Sequence, residues 1–440
     1  MSKVCVIGAG PSGVTAAKNL IDAGLDVTIY EKNDEVGGNW VYNSKTGHSS
    51  VFKTTHIISS KKLSEYADYP MPEDYPDYPS HEQLAAYFQN YAKHFGFYDT
   101  IQFDSEIVDA QPTADGKWEV AVRKNGMDTS HVYDQFVVCN GHHWNPRMPE
   151  YPGQFSGEFI HSHDFKTSDQ FKNKRVLVIG GGNSACDVAV ETSRVSEYTH
   201  LSWRRGYWIV PKFLLGKPSD ATGEKLSFVP TKLKVKGFEW LLNFLQGKNE
   251  DIGLQKPDHD IFETHPTINS ELYYFVRHGK IAPKMDIERF EGDTVVFKDG
   301  SKEEYDVIVA CTGFKITHPF FNKHLIDYSE GDVPLYLKMM HPRFDSLYFV
   351  GLFQPLGCIW PLAELQSKIV AREIRGEWKR PDDMELAIKK ELENPDYKQL
   401  KSPRHTVTVD YHAFRKRLLK ELPKDYVQKE PRIFEKSYEH

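Results

Sequence analysis

Two short apolar runs, each followed by a glycine-rich turn and a helical pattern, stand out along this chain. The first run, Lys3–Ile7, leads into Gly8-Ala-Gly10-Pro-Ser-Gly13, and the second, Arg175–Ile179, leads into Gly180-Gly-Gly182-Asn-Ser-Ala185. Short apolar runs bounded by turn residues are typical of buried parallel strands. The pattern predicts an α/β fold with two Rossmann-like units, each built from a strand, a tight turn and a helix.

A second pair of apolar runs indicates how the domains are ordered. The runs Asp134–Gly141 and Asp306–Gly313 both end in Cys-(Asn/Thr)-Gly. One comes before the second glycine turn and the other well after it, so we expect each run to close the sheet of its own domain. A glycine at such a strand end indicates a closely approaching cofactor or chain. We therefore predict a domain of residues 1–143 and 315–440, a linker at 144–172, and a second domain at 173–314 inserted in the first.

Other patterns predict smaller features. Ser80-His-Glu-Gln83 resembles a capping box that opens a helix ending near Phe95. The second domain is interrupted at about 210–280 by an insert in which Lys232, Lys234 and Lys236 precede an amphipathic helix at Phe238–Leu245. Packing on its own protein is the simpler interpretation of this helix, and docking on a membrane or controlling substrate access is the alternative. Residues 380–440 are charged and helical in pattern and predict a C-terminal tail.

Composition excludes several classes of protein. The chain has 440 residues, 27% of them charged, and a net charge of −7, so no basic excess favours nucleic acid. No run of about 18 apolar residues predicts an integral membrane segment. The first strand begins near residue 3, which leaves no room for a signal peptide. Five separate cysteines without a C-x-x-C motif favour a reduced cytoplasmic protein.

The glycine turns match dinucleotide-binding fingerprints, because each follows a strand and opens a helix whose N-terminus suits a pyrophosphate. After the first fingerprint, Glu31 ends the next apolar run, where an acid accepts hydrogen bonds from a ribose 2′-hydroxyl. This predicts FAD. At the corresponding place after the second fingerprint stand Trp203, Arg204 and Arg205. Guanidinium groups there favour a 2′-phosphate and hence NADPH. The alternatives are a solvated carboxylate at Glu31 and a solvated basic corner at the arginines.

Phe155 to Lys166, which read F-S-G-E-F-I-H-S-H-D-F-K, resemble the signature F-x-G-x-x-x-H-x-x-x-(F/Y)-(K/R) of flavin-containing monooxygenases. The resemblance extends over nearly the whole chain. It includes Gly37-Gly38-Asn-Trp40, Cys139-Asn-Gly-His-His143, Ala310-Cys-Thr-Gly313 and Gly351-Leu-Phe-Gln-Pro-Leu-Gly357. The related Baeyer–Villiger enzymes carry Trp-Pro where this chain has Phe165-Lys166. A metal at His161 and His163 is disfavoured, because no acid or cysteine cluster joins them at ligand spacing, and we expect no metal site.

The fingerprints and the resemblance together give a set of expected site residues. The expected cofactor-binding residues are Gly8, Gly10, Pro11, Ser12, Gly13, Glu31, Lys32, Gly38, Asn39, Trp40, Gly141, His161, Gly180, Gly182, Asn183, Ser184, Ala185, Trp203, Arg204, Arg205, Thr312, Gly313 and Gln354. The residues expected beside the reacting atoms are Ile58, Ser59, Ser60 and Gln354. Ile58 stands where many family members carry an asparagine that positions the nicotinamide and the oxygenated flavin.

The resemblance implies an enzyme in which NADPH reduces FAD, NADP⁺ stays bound, and O₂ forms a flavin C4a-hydroperoxide. This species would oxygenate a soft nucleophile, the nitrogen of an amine or the sulfur of a sulfide, in a small apolar substrate. A Baeyer–Villiger oxygenase or oxidative decarboxylase on the same scaffold, or an uncoupled NADPH oxidase suggested by Ile58, are the alternatives. A homodimer stays open at this stage.

Overall fold

The computed structural model describes residues 1–222, 231–395 and 407–424. Residues 223–230 of the predicted insert, and residues 396–406 and 425–440 of the predicted tail, lie outside the described residues. The helices of the described residues are α1 (Pro11–Asp22), α2 (Lys61–Ser64), α3 (His81–His94), α4 (Asn183–Ser193), α5 (Thr231–Gln246), α6 (Leu272–Arg277), α7 (Trp360–Ile374), α8 (Met384–Glu393) and α9 (Tyr411–Lys420).

The strands alternate with these helices along the chain. They are β1 (Lys3–Ile7), β2 (Asp26–Tyr30), β3 (Ser105–Pro112), β4 (Trp118–Lys124), β5 (Met127–Tyr133), β6 (Gln135–Val138), β7 (Asn145–Pro146), β8 (Gly153–Phe155), β9 (Glu158–His161), β10 (Arg175–Ile179), β11 (Tyr198–Ser202), β12 (Ile209–Val210), β13 (Phe213–Leu214), β14 (Lys217–Pro218), β15 (Thr267–Ile268), β16 (Ile281–Lys284), β17 (Ile287–Gly292), β18 (Thr294–Phe297), β19 (Lys302–Glu304), β20 (Val307–Ala310), β21 (Phe314–Lys315), β22 (Leu347–Phe349), β23 (Gln354–Pro355) and β24 (Thr408–Val409).

The described residues form two compact units. Unit 1 contains Met1–Ser49, Ser59–His142 and the described residues from Lys315 onward, and unit 2 contains Ser50–Ile58 and the described residues from His143 to Phe314. The residues predicted as a linker, 144–172, therefore lie within unit 2. Each unit contains a parallel sheet with helices, which confirms the predicted α/β fold class.

The central sheet of unit 1 has the strand order β2-β1-β6-β22, with parallel pairs throughout. A parallel sheet is covered on both faces, and this explains why its strands are largely apolar. Helix α1 packs on this sheet and also on α7. The antiparallel meander β3-β4-β5 turns at Asp115-Gly116 and at Asn125-Gly126. Asn125 and Gly126 both have positive φ, as a tight hairpin turn requires.

Unit 2 is built around the parallel order β16-β11-β10-β20-β9. β9, the strand that ends at His161, forms one edge of this sheet by pairing with β20. A second, four-stranded sheet of unit 2 has the order β19-β18-β17-β8, in which β17 pairs in parallel with β8. Phe165, Phe171 and Trp203 belong to the core that α4 covers.

One short parallel ladder joins the start of the insert to a later part of it: Ile209 pairs with Thr267 and Val210 with Ile268. Leu242 of α5 is 1% exposed and packs in a small core with Val210. Trp240 and Phe244, one turn apart on α5, are exposed and stack on each other. Within residues 1–222, 231–395 and 407–424, no helix has the length and apolar character needed to cross a membrane.

Helix α3 begins with the predicted capping box. The Ser80 hydroxyl accepts from the backbone N–H of Gln83 at 3.3 Å, and the Gln83 side chain accepts from the Ser80 N–H at 3.0 Å. These two bonds satisfy N–H groups that have no partner inside the helix. Tyr87 and Tyr91 on the buried face of α3 stack against Tyr66, so the cap fixes the start of a helix that carries an aromatic cluster.

We expect Ser80→Ala to lower the free energy of unfolding of unit 1 by about 1 kcal/mol, because it removes the N-cap acceptor. Ser80→Asn keeps an acceptor and serves as the matched control. Denaturant titration followed by far-ultraviolet circular dichroism measures both. Equal losses in the two variants would show that the cap contributes nothing beyond the serine's packing.

Candidate functional site

The two glycine fingerprints occupy equivalent places in their sheets. Gly8 donates its N–H to Tyr30 at the end of β2, at 2.8 Å, and Gly180 donates to Ser202 at the end of β11, at 3.1 Å. A Cβ atom at Gly8 would lie 2.8 Å from the carbonyl oxygen of Cys139, and one at Gly180 would lie 2.6 Å from that of Cys311. Both glycines have positive φ, +96° and +128°. Only glycine fits where the strand-end carbonyl approaches so closely.

The helices that follow the fingerprints begin without a side-chain cap. The N-cap residues are Gly10 for α1 and Gly182 for α4, and neither helix carries an acidic residue in its first turn. The free N–H groups and the positive end of the helix dipole are therefore available to an anion. A pyrophosphate fits both places, which is the arrangement that a bound dinucleotide requires.

Glu31 is held beside the first fingerprint. Its carboxylate accepts from the N–H of Ala9 at 2.7 Å and from that of Asn33 at 2.8 Å. Burial raises the pKa of the Glu31 carboxyl, and the two amide bonds act in the opposite direction. Each carboxylate oxygen accepts more than one hydrogen bond, so a ribose diol fits this group. Both polar atoms of the buried Asn33 side chain lack a partner among the described residues.

The other expected residues of unit 1 lie in three places. Lys32 is half-buried and lines a polar cavity of about 390 Å³ with Arg123 and Asp104. Pro11 is the first residue of α1, and the Ser12 hydroxyl would be 2.1 Å from a Cβ at Gly351. The remaining expected residues of unit 1 lie in or next to the turns: Gly13 and Gly38, which pack on Gly8 and Gly10, then Asn39, the exposed Gly141, and Gln354, whose N–H donates to Val407.

An aromatic and hydroxyl cluster surrounds Trp40 in unit 1. The Trp40 ring meets Trp360 edge to face at 5.8 Å, and the Trp360 indole N–H donates to the carbonyl of Ser64. The Ser64 hydroxyl hydrogen-bonds that of Ser59 at 2.8 Å. Burial raises the pKa of the Cys358 thiol, which also interacts with both serines. The structure thus brings together Trp40 and Ser59, and adds three residues that the sequence analysis missed.

Those three residues, Ser64, Cys358 and Trp360, had only faint signals in the sequence. Cys358 and Trp360 directly follow the Gly351–Gly357 motif, and Ser64 lies five positions after Ser59. Ser60 is buried next to Ser59, whereas Ile58 is half-buried and belongs to unit 2. The chain passes from one unit to the other between Ile58 and Ser59.

In unit 2 the segment 204–207, called the arginine segment, packs on the second fingerprint through Tyr207. A Cβ atom at Gly181 would lie 2.1 Å from the ring of Tyr207, so this ring rests directly on the glycine backbone. The Arg205 guanidinium lies 5.6 Å from the centre of the same ring. Its Nε is buried and has no hydrogen-bond partner among the described residues, and Arg204 is exposed. An arginine with an unused donor and an exposed arginine beside it fit a phosphate group.

The rest of the predicted set in unit 2 is spread along the same sheet edge. Trp203 is 1% exposed in the core and meets Tyr207 edge to face. Gly182 and Ser184 are exposed, Asn183 is half-buried and Ala185 is buried. Thr312 and Gly313 both hydrogen-bond to the backbone of Arg147. The Thr312 hydroxyl donates to the Arg147 carbonyl, and the Arg147 N–H donates to the Gly313 carbonyl.

His161 is buried at the end of β9. Its Nδ1 accepts from the N–H of His163 at 3.0 Å, and its Nε2 has no partner among the described residues. Burial lowers the pKa of His161, so the imidazole is neutral near pH 7. His163 interacts instead with Asp164. No group of three or more His, Cys, Asp or Glu side chains in the described part of the chain could hold a metal ion.

Known proteins with similar sequences and folds agree on one class of enzyme. The model of the family described as flavin-binding monooxygenase-like matches residues 1–434. Rat flavin-containing monooxygenase 5 is 35% identical over 431 residues, which cover 93% of this chain and 80% of the relative.

Two solved structures share the fold. The S-allyl-L-cysteine S-oxygenase of Allium sativum has a TM-score of 0.72 at 24% identity, over 96% of this chain and 88% of its own. The NADP⁺-bound cyclohexanone monooxygenase of Rhodococcus sp. Phi1 has a TM-score of 0.70 at 17% identity, over 95% and 97%. This chain belongs to the flavin-binding monooxygenase-like family, and it is a flavin-dependent monooxygenase that uses FAD, NADPH and O₂.

Proposed function

We propose that this enzyme transfers one oxygen atom to the nitrogen or sulfur of a small apolar amine or sulfide. The observation that carries the placement of the cofactors in this proposal is the pair of uncapped fingerprint helices, one beside a buried acid and the other beside two arginines. This difference suits FAD on the first fingerprint and NADPH on the second. The name of the Allium relative, an S-oxygenase, is consistent with a soft heteroatom as the acceptor.

In this proposal, unit 1 holds FAD. The backbone N–H groups at the start of α1 bind the pyrophosphate, and the Glu31 carboxylate accepts from the adenosine ribose. Lys32 lies next to Glu31 and provides a positive charge at the same end. The turns that contain Gly10 and Gly38 meet without side chains between them. A Cβ atom placed on Gly10 would lie 3.5 Å from the Cα of Gly38.

Unit 2 holds NADPH in the same proposal. The N–H groups at the start of α4 bind its pyrophosphate, and Arg204 and Arg205 bind the 2′-phosphate. A guanidinium can pair with two phosphate oxygens at once, and it also stacks on aromatic rings. The Tyr207 ring under Gly181 fixes the position of this segment relative to the fingerprint.

The flavin, when reduced by NADPH, supplies the electrons and the oxygen activation. The chain's own residues bind, orient and exclude water. Trp40 and Trp360 supply apolar surface around Ser59 and Ser64. Burial raises the pKa of the Cys358 thiol far above neutrality, so the thiol stays protonated and uncharged beside the two serine hydroxyls. Such surroundings keep water and strong acids away from a reactive oxygenated cofactor.

Two other outcomes have a specific observation behind them. A Baeyer–Villiger reaction on a ketone is suggested by the shared fold of the cyclohexanone enzyme, although Phe165-Lys166 replaces the Trp-Pro typical of that group. An NADPH oxidase that releases hydrogen peroxide is suggested by the hydrocarbon side chain of Ile58.

A panel of tertiary amines, sulfides and ketones separates these functions. Product formed and hydrogen peroxide released are each measured per NADPH consumed, with ¹⁸O₂ as the oxygen source. The proposal predicts N-oxide or S-oxide carrying one ¹⁸O atom. Lactone or ester from the ketones alone would establish the Baeyer–Villiger reaction, and peroxide alone would establish an oxidase.

The two fingerprints can be tested separately by Gly10→Val and Gly182→Val. A Cβ atom at Gly182 meets no atom within 4 Å, and one at Gly10 meets only Gly38, at an ordinary contact distance. Both glycines have extended backbone, so valine does not strain the fold. We expect Gly182→Val to be yellow but not reduced by NADPH, and Gly10→Val to be colourless.

Visible spectra before and after anaerobic addition of NADPH give the result. Melting temperatures within a few degrees of the parent protein, by circular dichroism, show that each variant is folded. A folded, yellow Gly182→Val protein that NADPH reduces at the parental rate would refute the assignment of the second fingerprint.

Arg204→Ala should raise the Michaelis constant for NADPH more than about tenfold and change that for NADH little, because a charge-assisted phosphate contact contributes about 1.5–3 kcal/mol. Arg204 is exposed, so folding is unaffected. Arg289→Ala is the matched control, since Arg289 is a partly exposed arginine of the same unit that pairs with Glu288 and Glu291. Steady-state kinetics with both nucleotides test this, and equal changes for NADPH and NADH would exclude a phosphate contact.

Ile58→Asn should lower the hydrogen peroxide released per NADPH, by no more than about tenfold. An amide can supply one hydrogen bond of about 0.5–1.5 kcal/mol, and about 1.36 kcal/mol is tenfold in rate. Ile58→Leu keeps a hydrocarbon and is the control. Peroxide yield and stopped-flow reoxidation of the reduced enzyme are the measurements. More peroxide from Ile58→Asn than from Ile58→Leu would mean that shielding from water matters more than the added bond.

A further inference from the structure

Three consecutive residues in the later part of the insert hydrogen-bond to the second fingerprint and its helix. The Thr267 hydroxyl donates to the carbonyl of Gly181 at 2.7 Å, and the backbone N–H of Ile268 donates to Oδ1 of Asn183 at 2.6 Å. The Asn269 side chain donates to Asp187 at 2.7 Å. We call residues 267–269 the clasp. Thr267 and Asn269 are 2% and 5% exposed, so these bonds form in a buried place.

The bond from Thr267 determines which way one peptide plane faces. The carbonyl of Gly181 and the N–H of Gly182 belong to the same planar trans peptide, so they point in opposite directions. When Thr267 holds the carbonyl on the insert side, the Gly182 N–H faces away from the insert. Gly182 is exposed, and a Cβ there would meet nothing within 4 Å. The hydroxyl of Thr267 therefore presents a fingerprint N–H to the open side of the loop.

The other two bonds hold α4 in place. Asn183 is the first residue of α4, and its side-chain oxygen accepts from the N–H of Ile268. The N-cap residue is Gly182, which has no side chain, so α4 begins without a side-chain cap. Asn269 accepts from the N–H groups of Glu271 and Leu272 while it donates to Asp187. One amide thus joins the first two turns of α4 to the start of α6.

The clasp also bonds to residues that follow the arginine segment. The N–H of Thr267 donates to the carbonyl of Trp208 at 3.0 Å, and that of Asn269 donates to Val210 at 3.0 Å. Trp208 follows Arg205 by three residues, and Tyr207 between them covers Gly181. The clasp therefore bonds on one side to the fingerprint and on the other to Trp208 and Val210, which follow the two arginines in the chain.

We propose that the clasp positions the pyrophosphate-binding loop and the adjacent arginines for NADPH, with Thr267 and Asn269 as positioning residues of the nucleotide site. This inference rests on the proposed placement of NADPH on the second fingerprint. It gives the insert a role in binding the nucleotide, separate from any role toward the substrate.

The test compares Thr267→Val, which removes the hydroxyl at nearly constant shape, with Thr267→Ser, which keeps it. Thr199→Val is the matched control, because Thr199 is also buried and hydrogen-bonded in unit 2, but near the start of β11, away from the fingerprint. Calorimetric titration of the FAD-loaded proteins with NADP⁺ gives the dissociation constants. Anaerobic stopped-flow mixing with NADPH gives the limiting rate of flavin reduction and the concentration at half that rate.

Removing one buried hydrogen bond and leaving the Gly181 carbonyl unpaired should weaken NADP⁺ binding about fivefold to tenfold in Thr267→Val. Thr267→Ser should restore most of the affinity, and Thr199→Val should bind like the parent. The limiting reduction rate should change less than the half-saturating concentration. Parental affinity in a folded Thr267→Val protein overturns the inference. Failure of the parent protein itself to bind NADP⁺ would refute the proposed function as well.

Hydrogen exchange on the parent enzyme tests the same idea without a substitution. If the clasp and the fingerprint act together, NADP⁺ should slow exchange in peptides covering 266–270 as well as in those covering 180–187. Protection of 180–187 with no change at 266–270 would overturn the inference while leaving the proposed nucleotide site intact.

Discussion

One backbone contact, made once in each unit, determines where both proposed nucleotide sites lie. The carbonyl at the end of a neighbouring strand, from Cys139 in unit 1 and Cys311 in unit 2, approaches the first glycine of the fingerprint more closely than any Cβ atom would allow. Each cysteine N–H also bonds back to the strand before the turn, at Ile7 and Ile179. Because the turn is held on this side, the helix behind it starts at a defined place with its first N–H groups unpaired.

The strand, glycine turn and helix are alike in the two units, and the side chains around them make the two proposed sites different. Beside the first fingerprint the structure places a buried carboxylate that already accepts two backbone bonds, and beside the second an arginine segment lying over an aromatic ring. A carboxylate repels a 2′-phosphate and a guanidinium attracts one, so a few side chains are enough to separate two nucleotides that share a pyrophosphate.

Local patterns were sufficient for much of this protein, and contacts between distant residues were not. Fold class, family and enzyme class followed from motifs in which every residue lies within about a dozen positions, such as Gly8–Gly13 and the run from Phe155 to Lys166. The choice of cofactors also used Glu31 and the arginines, which follow their fingerprints by about two dozen positions. The capping box at Ser80 is local for the same reason. The clasp and the Ser64–Cys358–Trp360 cluster join residues that are far apart in the chain, and their short polar stretches carry no periodic signal. The division at Ile58 and Ser59 depends on packing alone.

The pairing of Ile209 with Thr267 and of Val210 with Ile268 brings the two ends of the segment 209–268, most of the insert, side by side. A segment closed at its base in this way behaves as a module, since changes between its ends alter the loop-closure entropy only slowly with length. The middle of the insert can therefore diverge in sequence and size without displacing the loop that the base supports. In evolutionary terms, selection can change α5, with its exposed Trp240 and Phe244, while the second fingerprint and the clasp stay the same.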